Sequence, residues 1–453
     1  METIAEDSAV AIAQRVRSGT LRAIELVEHV LSDIQARNTS SGCFTKVLAA
    51  EARATARAID RQVAVGIDPG PLAGVPFGAK DLFDIAGLPT TAGAKMRLNA
   101  SPAKCDAEVV LRFKRAGAIL VGTLNMDEYA YGFATMNAHY GPTRNPHDPT
   151  RLAGGSSGGS AAAVSAGLVP LALGSDTNGS IRVPAALCGI WGIRPADHVI
   201  PMNGVFPFVE ILDTVGPFAR NLTDLVAAYD VLSESNRTTM DCKPRVARLD
   251  GWFERNASGE VMQAMDAVMN HLQSDSVAKM PEAEAARSAS YLMTAAQGGA
   301  FHLETLRHLA LEYDPAVRDR LLAGTMLPSG VYLKAIAFRK YFRAKVRELF
   351  DRFDILISAC TPVIAPKMDE ATMMVDGKPA SARANLGLYT QPLSLAGIPV
   401  VSAPFNRPNA MPIGIQFATA PGREGMLFDF LARLENDGIL KANPPTGRID
   451  RND

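Results

Sequence analysis

Two Gly/Ser-rich stretches and one lysine are the parts of this 453-residue chain whose residue types and spacing can do chemistry. The first stretch, Gly154–Gly155–Ser156–Ser157–Gly158–Gly159–Ser160, runs into Ala161–Ala162–Ala163–Val164. Glycines permit tight or left-handed turns and alanines favour helix. Ser156 is therefore expected in a tight loop ahead of a helix N-terminus, where free N–H groups favour negative charge. Alone, such a stretch is more often a simple turn or a phosphate cradle. A phosphate loop needs GxxxxGK[ST], and no lysine follows these glycines. The second stretch is Gly174–Ser175–Asp176–Thr177–Asn178–Gly179–Ser180–Ile181–Arg182. A nucleophilic serine needs N–H groups aimed at a developing oxyanion, and a run ending in Gly–Ser can supply them. Losing one such donor raises the barrier by about 3–4 kcal/mol. The competing reading is a structural turn braced by Asp176 and Arg182.

A serine nucleophile also needs a base, and no histidine lies near either loop. Lys80 ends the short apolar run Gly74–Val75–Pro76–Phe77–Gly78–Ala79. A lysine at a strand end is ordinarily a solvated charge. With an ordinary pKa of about 10.4, only about one molecule in a thousand is neutral at pH 7. Full burial lowers that value by up to about 3–5 units. Val75, Pro76, Phe77, Leu82 and Phe83 are the kind of neighbours that would bury it.

The elements that must position these residues follow from periodicity. Ile24, Val27, Leu31 and Ile34 predict an amphipathic helix over 20–36. Asp106 to Arg115 predicts a helix stopped by Gly117, followed by the strand Ile119–Leu120–Val121. Alternation of this kind over 72–123 favours an α/β domain with a mixed sheet. From about 240 to 350 the pattern becomes largely helical, with Val261, Met265, Val268 and Leu272 on one helix and Ile336, Phe342, Val346 and Leu349 on another. Asp376–Gly377 predicts a hairpin turn. Pro399–Val401 and Pro412–Ile415 return to strand. We expect a single domain over 1–453, with core segments at about 60–220 and 385–440 and a helical insertion at about 240–350.

Composition narrows the function classes. Lys plus Arg number 46 and Asp plus Glu 47, for a net charge of −1. No basic run points to nucleic acid or an anionic membrane. The start of the chain lacks a basic-then-apolar pattern, and no window of about 18 apolar residues is present, so neither a signal peptide nor a membrane span is expected. Five dispersed cysteines (Cys43, Cys105, Cys188, Cys242, Cys360) without a CxxC pair suggest reduced thiols and a cytoplasmic location. Seven histidines form no zinc pattern. His139 and His147, near a motif segment, are read as packing or surface residues.

Taken together and in order, the stretches resemble the amidase signature family. The resemblance is carried by GVPFGAKDLFD, GGSSGGSAA, GSDTNGSIRVPAALCGIWGIRP, and the tail TQPLSLAGIPVVSAPF with MPIGIQF. It spans most of the chain, and the 24-residue separation of Ser156 and Ser180 is the one the family uses. It implies an α/β/α sandwich around a large mixed central sheet. Ser180 would be the acyl-forming nucleophile, Ser156 the bridging serine and Lys80 the terminal base. The N–H groups of Thr177, Asn178, Gly179 and Ser180 would form the oxyanion hole. Asp176 and Arg182 would brace the loop or meet substrate, with bracing favoured for Arg182; Arg144 also lies in a motif segment. No cofactor or metal is implied.

Within the family, MDEYAYGFATMNAHYGPTRNPHD, LDGWF, YLKAIAFRKYFRAKV and LYTQPLSLAGIPVV are similar to the carboxybiuret-hydrolase branch, which works with a small GatC- or AtzG-like subunit. That likeness implies a small anionic urea-type amide as substrate, ammonia as product and a homo- or hetero-oligomer. Two further readings stay open: the glutaminase subunit of a tRNA-dependent amidotransferase, and a catalytically silent scaffold subunit. Asn178 stands where most members have glycine, a position an asparagine can fill because it tolerates left-handed backbone. Arg194–Pro201 departs from the common KPTxGRxS, and Gln297 replaces a glutamate of the carboxybiuret-hydrolase branch.

Overall fold

The computed structural model describes residues 8–234 and 243–445. Cys242 and the first seven residues, both considered above, lie outside them. Cys43, Cys105, Cys188 and Cys360 are free thiols.

The helix expected near the N-terminus is α1 (Ala23–Ser41), which buries Leu26, Val27, Val30, Leu31 and Ile34 along one face. Helix α2 (Glu108–Arg115) buries Val109, Val110 and Phe113. Phe113 packs edge-on against Phe77, with ring centroids 5.1 Å apart. Gly117 (φ +88°) then turns the chain. A Cβ there would meet the Pro69 carbonyl at 2.6 Å, so a side chain is excluded both by space and by backbone angle.

Eleven strands form one mixed sheet: β1 (Phe44–Val47), β2 (Pro76–Lys80), β3 (Ile119–Leu124), β4 (Leu171–Ser175), β5 (Trp191–Arg194), β6 (Val215–Ala219), β7 (Val246–Leu249), β8 (Val277–Ala278), β9 (Ile355–Ala359), β10 (Val400–Pro404) and β11 (Gly414–Thr419). Their order is β1-β3-β2-β4-β6-β5-β10-β11-β9-β7-β8. Strand β2 runs parallel to both β3 and β4, and all three are buried throughout. Burial on both faces explains their nearly continuous apolar runs. Because β2 and β4 are parallel, Lys80 and Ser175, their last residues, emerge at the same edge of the sheet. Ligands of α/β sheets bind at the carboxyl ends of such strands.

Helix α3 (Gly158–Ser165) follows the first Gly/Ser loop, and α4 (Arg182–Cys188) follows the second. The 240–350 region holds the helix Gly259–His271, then α5 (Ala283–Leu309), α6 (Pro315–Thr325) and α7 (Ser329–Phe350). It also contributes β7 and β8, which extend the edge of the main sheet. Helix α8 (Thr390–Ala396) precedes β10. Asp376 (φ +50°) and Gly377 (φ +76°) turn a two-stranded hairpin, both left-handed as a two-residue turn of this kind requires. Among the described residues no single helix is long and apolar enough to cross a membrane; α6 and α7 meet both conditions only together, across a 95° bend.

Candidate active site

Lys80 is fully buried at the end of β2. Its Nζ donates to Ser156 Oγ at 2.7 Å and to Ser175 Oγ at 2.8 Å. Both partners are neutral hydroxyls, so burial dominates and pulls the amine down to about 7, against the attraction of Asp127, Asp213 and Asp176. About half of the molecules then carry a neutral amine at pH 7. Ser175 is the partner that motif reasoning does not single out. Its place at a strand end inside the second Gly/Ser block is the one signal the sequence offers for it.

The two Gly/Ser loops lie against each other. Ser157 N–H donates to the Ser180 carbonyl (3.3 Å), and Ser157 Oγ donates to the Ser175 carbonyl (3.1 Å). Ser156 and Ser180 are both buried. The Ser180 side chain makes no hydrogen bond to another described residue, and Ser180 lines a small pocket together with Thr177, Asn178 and Gln391. Lys80, Ser156 and Ser175 are thus joined directly, and Ser180 is tied to the first loop by its backbone, through the bond its carbonyl accepts from Ser157.

Asp176 organises the second loop. Its carboxylate accepts from Gly179 N–H (2.7 Å) and Ile181 N–H (3.2 Å) and pairs with Arg182 through Nε (3.0 Å) and Nη2 (3.1 Å). Burial alone would raise this carboxyl; the Arg182 and Arg194 charges and the N–H donors hold it below its ordinary value. The Gly179 N–H is therefore already engaged. The N–H groups of Thr177, Asn178 and Ser180 make no hydrogen bond to described residues. Gly179 (φ +134°) has no room for a side chain, since a Cβ would fall 2.1 Å from Thr390 Oγ1.

Asn178 does not use the left-handed backbone expected of it; that angle belongs to Gly179. Its side chain supplies the reason for the asparagine. Ser290 Oγ donates to Asn178 Oδ1 (2.5 Å), and Asn178 Nδ2 donates to Thr294 Oγ1 (2.8 Å). Residues 290 and 294 are one turn apart on α5 and share a face. Thr390 Oγ1 donates to the Asn178 carbonyl (2.5 Å), fixing the loop from the other side.

Arg182 is fully buried and braces the loop. Beyond Asp176 it donates to the Thr390 carbonyl (3.2 Å), Gln416 Oε1 (3.1 Å) and Ser394 Oγ (2.5 Å), so no donor pair is left for substrate. Arg144 lies on a surface hairpin and donates to the Pro149 carbonyl (2.9 Å). In the unusual 194–201 segment, His198 adopts a left-handed φ of +66°. Asp197 gathers Arg194 (2.9 Å), Arg339 (2.6 Å) and Arg343 (3.0 Å), tying the segment to α7. Gln297 donates to the Tyr332 hydroxyl (2.7 Å). His139 pairs with buried Glu128 (2.9 Å), and His147 contacts the Cys188 carbonyl (3.2 Å); both have packing roles. No cluster among the described residues could hold a metal ion.

The pocket beside Ser180 has a volume of about 20 Å³, room for roughly one water. Tyr131, Phe208, Tyr291 and Arg320 wall it. Arg320 stacks over the Tyr131 ring (3.7 Å) and donates to the Tyr131 carbonyl (3.1 Å). Its Nε is buried without a hydrogen-bond partner among the described residues. Nothing in the helical spacing of residues 315–325 marks Arg320 as different from Arg318, so sequence reasoning has no signal for it.

Gly/Ser loops and a buried lysine gathered at one edge of a large mixed sheet define the class, a hydrolase of the amidase-signature type. Residues 25–428 match the family model described as Amidase, and the chain belongs to the amidase family. It is a hydrolase of C–N bonds in linear amides. The chain is 42% identical over 451 residues to the 1-carboxybiuret hydrolase subunit AtzE of Pseudomonas sp. (strain ADP), covering 95% of this chain and 99% of that one. It is 31% identical to the A-type subunit of the glutamyl-tRNA(Gln) amidotransferase of Carboxydothermus hydrogenoformans, covering 96% and 98%. A solved structure described as a vestigial protein complex that reveals the evolutionary origins of an s-triazine catabolic enzyme matches with a TM-score of 0.92 and 42% identity, covering 96% of this chain and 100% of the other.

Proposed function

We propose that this protein hydrolyses a small anionic urea-type amide, 1-carboxybiuret or a compound like it, releasing ammonia through an acyl-enzyme on Ser180. The observation that carries the reading is the 2.7 Å contact between a fully buried Lys80 and Ser156. Neutral Lys80 takes the Ser156 hydroxyl proton as Ser156 takes that of Ser180, and Ser180 Oγ attacks the carbonyl carbon. Negative charge develops on the carbonyl oxygen, opposite the free N–H groups of Thr177, Asn178 and Ser180. Collapse breaks the C–N bond, and the proton returns through Ser156 to the departing nitrogen, giving ammonia. Water then attacks the acyl-enzyme by the same relay and regenerates Ser180.

Arg320 supports the anionic substrate. Arg144 and Arg182 are engaged elsewhere, whereas Arg320 lines the pocket with its Nε unpaired among the described residues. The relatives named as subunits support assembly with a partner, for which a small GatC-like chain and a cytoplasmic setting are our reading.

The test is ammonia release from biuret-type, malonamide-type and simple aliphatic amides and from glutamine, with and without a small subunit. A biuret-type carboxylate is expected to lead, and Ser180→Ala is expected to lose at least about 10⁴-fold in kcat with folding intact. Glutamine as the preferred substrate would replace this reading by the amidotransferase one, and an active Ser180→Ala would remove the nucleophile.

A further inference from the structure

Gln391 is 3% exposed and lines the pocket beside Ser180, yet its Oε1 has no hydrogen-bond partner among the described residues. The carboxamide oxygens of other buried residues are engaged: Asn137 Oδ1 accepts from the His139 and Tyr140 N–H groups, Asn145 Oδ1 from His147 N–H and Gln416 Oε1 from Arg182 Nη1, whereas half-buried Gln297, away from the residues that line this pocket, shares the unpaired oxygen. A buried acceptor left unpaired is destabilising and persists where a ligand completes it.

The position of Gln391 is fixed. Its backbone N–H donates to the Gly387 carbonyl (3.0 Å), and the preceding Thr390 grips the Asn178 carbonyl (2.5 Å). The Gln391 backbone is therefore held by the same turn of α8 that holds the oxyanion loop.

We propose that Gln391 is a specificity-determining residue whose Oε1 accepts an N–H on the substrate atom next to the scissile carbonyl. The enzyme would thereby select ureido amides over amides carrying CH2 at that atom. This rests on the proposed function and names the feature of the substrate that the pocket recognises. A CH2 in place of N–H fills the same space but leaves the acceptor unpaired, and sites built to hydrogen-bond a substrate reject analogues lacking the group far more strongly than they sense a methylene.

The experiment compares kcat/KM for a biuret-type carboxylate and for its malonamide-type counterpart, in which CH2 replaces the N–H. Wild type, Gln391→Leu and Gln391→Glu are measured with the same pair. Wild type is expected to favour the N–H substrate by about 100-fold or more. Gln391→Leu is expected to lose most of that ratio, and Gln391→Glu, which keeps an acceptor, to retain a larger part of it. If Gln391→Leu does not fold, Gln391→Met carries the same comparison. A wild type that prefers the N–H substrate alongside a folded Leu or Met variant with an unchanged ratio overturns the role of Gln391 alone. A wild type that prefers a simple aliphatic amide or glutamine overturns the proposed function, and this inference with it.

Discussion

Lys80 and Arg182 are both basic side chains with no solvent exposure, and both lie within the field of Asp176. Their surroundings differ. Lys80 directs its hydrogens at two neutral hydroxyls, so the cost of burying charge is offset only in part by the more distant Asp127, Asp213 and Asp176, and the amine falls to about 7. Arg182 meets a carboxylate through two parallel donors, and its other donors find a carbonyl, an amide oxygen and a hydroxyl. A guanidinium stays charged at any physiological pH and suits such a paired site. Burial with neutral partners therefore leaves an amine that can lose its proton near neutral pH, and burial with an ionic partner leaves a charged brace.

Replacing each of the two by methionine should break the comparison most visibly. Lys80→Met is expected to lower kcat by about 10⁴-fold or more, as loss of a member of a triad does. Its stability should be unchanged or raised, because the variant no longer buries an amine beside neutral hydroxyls. Arg182→Met leaves Asp176 buried without its bidentate partner, which typically costs about 3–5 kcal/mol. Both variants lose activity, so denaturant unfolding is the discriminating measurement. Equal destabilisation by the two substitutions would show that Lys80 is a brace as well.

The pH dependence sharpens the same contrast. In the proposed mechanism the neutral amine is the working form, so kcat/KM should fall about tenfold per unit below pH 7 and level off above it. A profile flat from pH 5 to 9 would exclude Lys80 as the base. Stability follows by linkage. The unfolded lysine titrates near 10.4, and the folded one near 7. Its contribution is therefore fully present above about 10.4 and is lost as the pH falls to about 7. Below 7 both states hold the proton and no further change arises from this group. Subtracting Lys80→Met from wild type removes the parallel titration of Asp81, pushed up to about 7 by burial, and of Glu128, pushed up to about 8 by burial. The difference should slope only between about pH 7 and 10.4.

Lys80, Ser156 and Ser180 are legible as candidates because their chemistry depends on residue types concentrated in short motifs. The helices α1 and α2 are legible because their apolar faces repeat at helical spacing. What escapes depends on contacts distant in sequence. Ser175 meets Lys80 only because β2 and β4 are parallel neighbours, 95 residues apart at that contact. Strands β7 and β8, with four and two residues, are too short to show a period inside a helical region. Arg320 and Gln391 converge on one pocket from α6 and α8. Asn178 invites a backbone explanation because its partner Ser290 lies 112 positions away, on a helix whose facing has no local signature.

That last contact gives the smallest expected effect and the finest form of the comparison, since it concerns a neutral brace. Ser290 is fully buried and does not line the pocket, so it can act on catalysis only through Asn178. Ser290→Ala removes one donor to Asn178 Oδ1, a neutral hydrogen bond contributing about 1 kcal/mol. Thr294 and Thr390 still hold the residue, so the loop should loosen rather than collapse. A shift of that size in transition-state stabilisation corresponds to a fall of about fivefold in kcat. KM should hold, because the oxyanion forms only in the transition state. An equal rise in KM at constant kcat would place the helix contact in substrate binding instead. Unchanged kinetics with a lowered melting temperature would reduce it to a packing contact. A loss of kcat alone marks Ser290 as a positioning residue for the oxyanion loop.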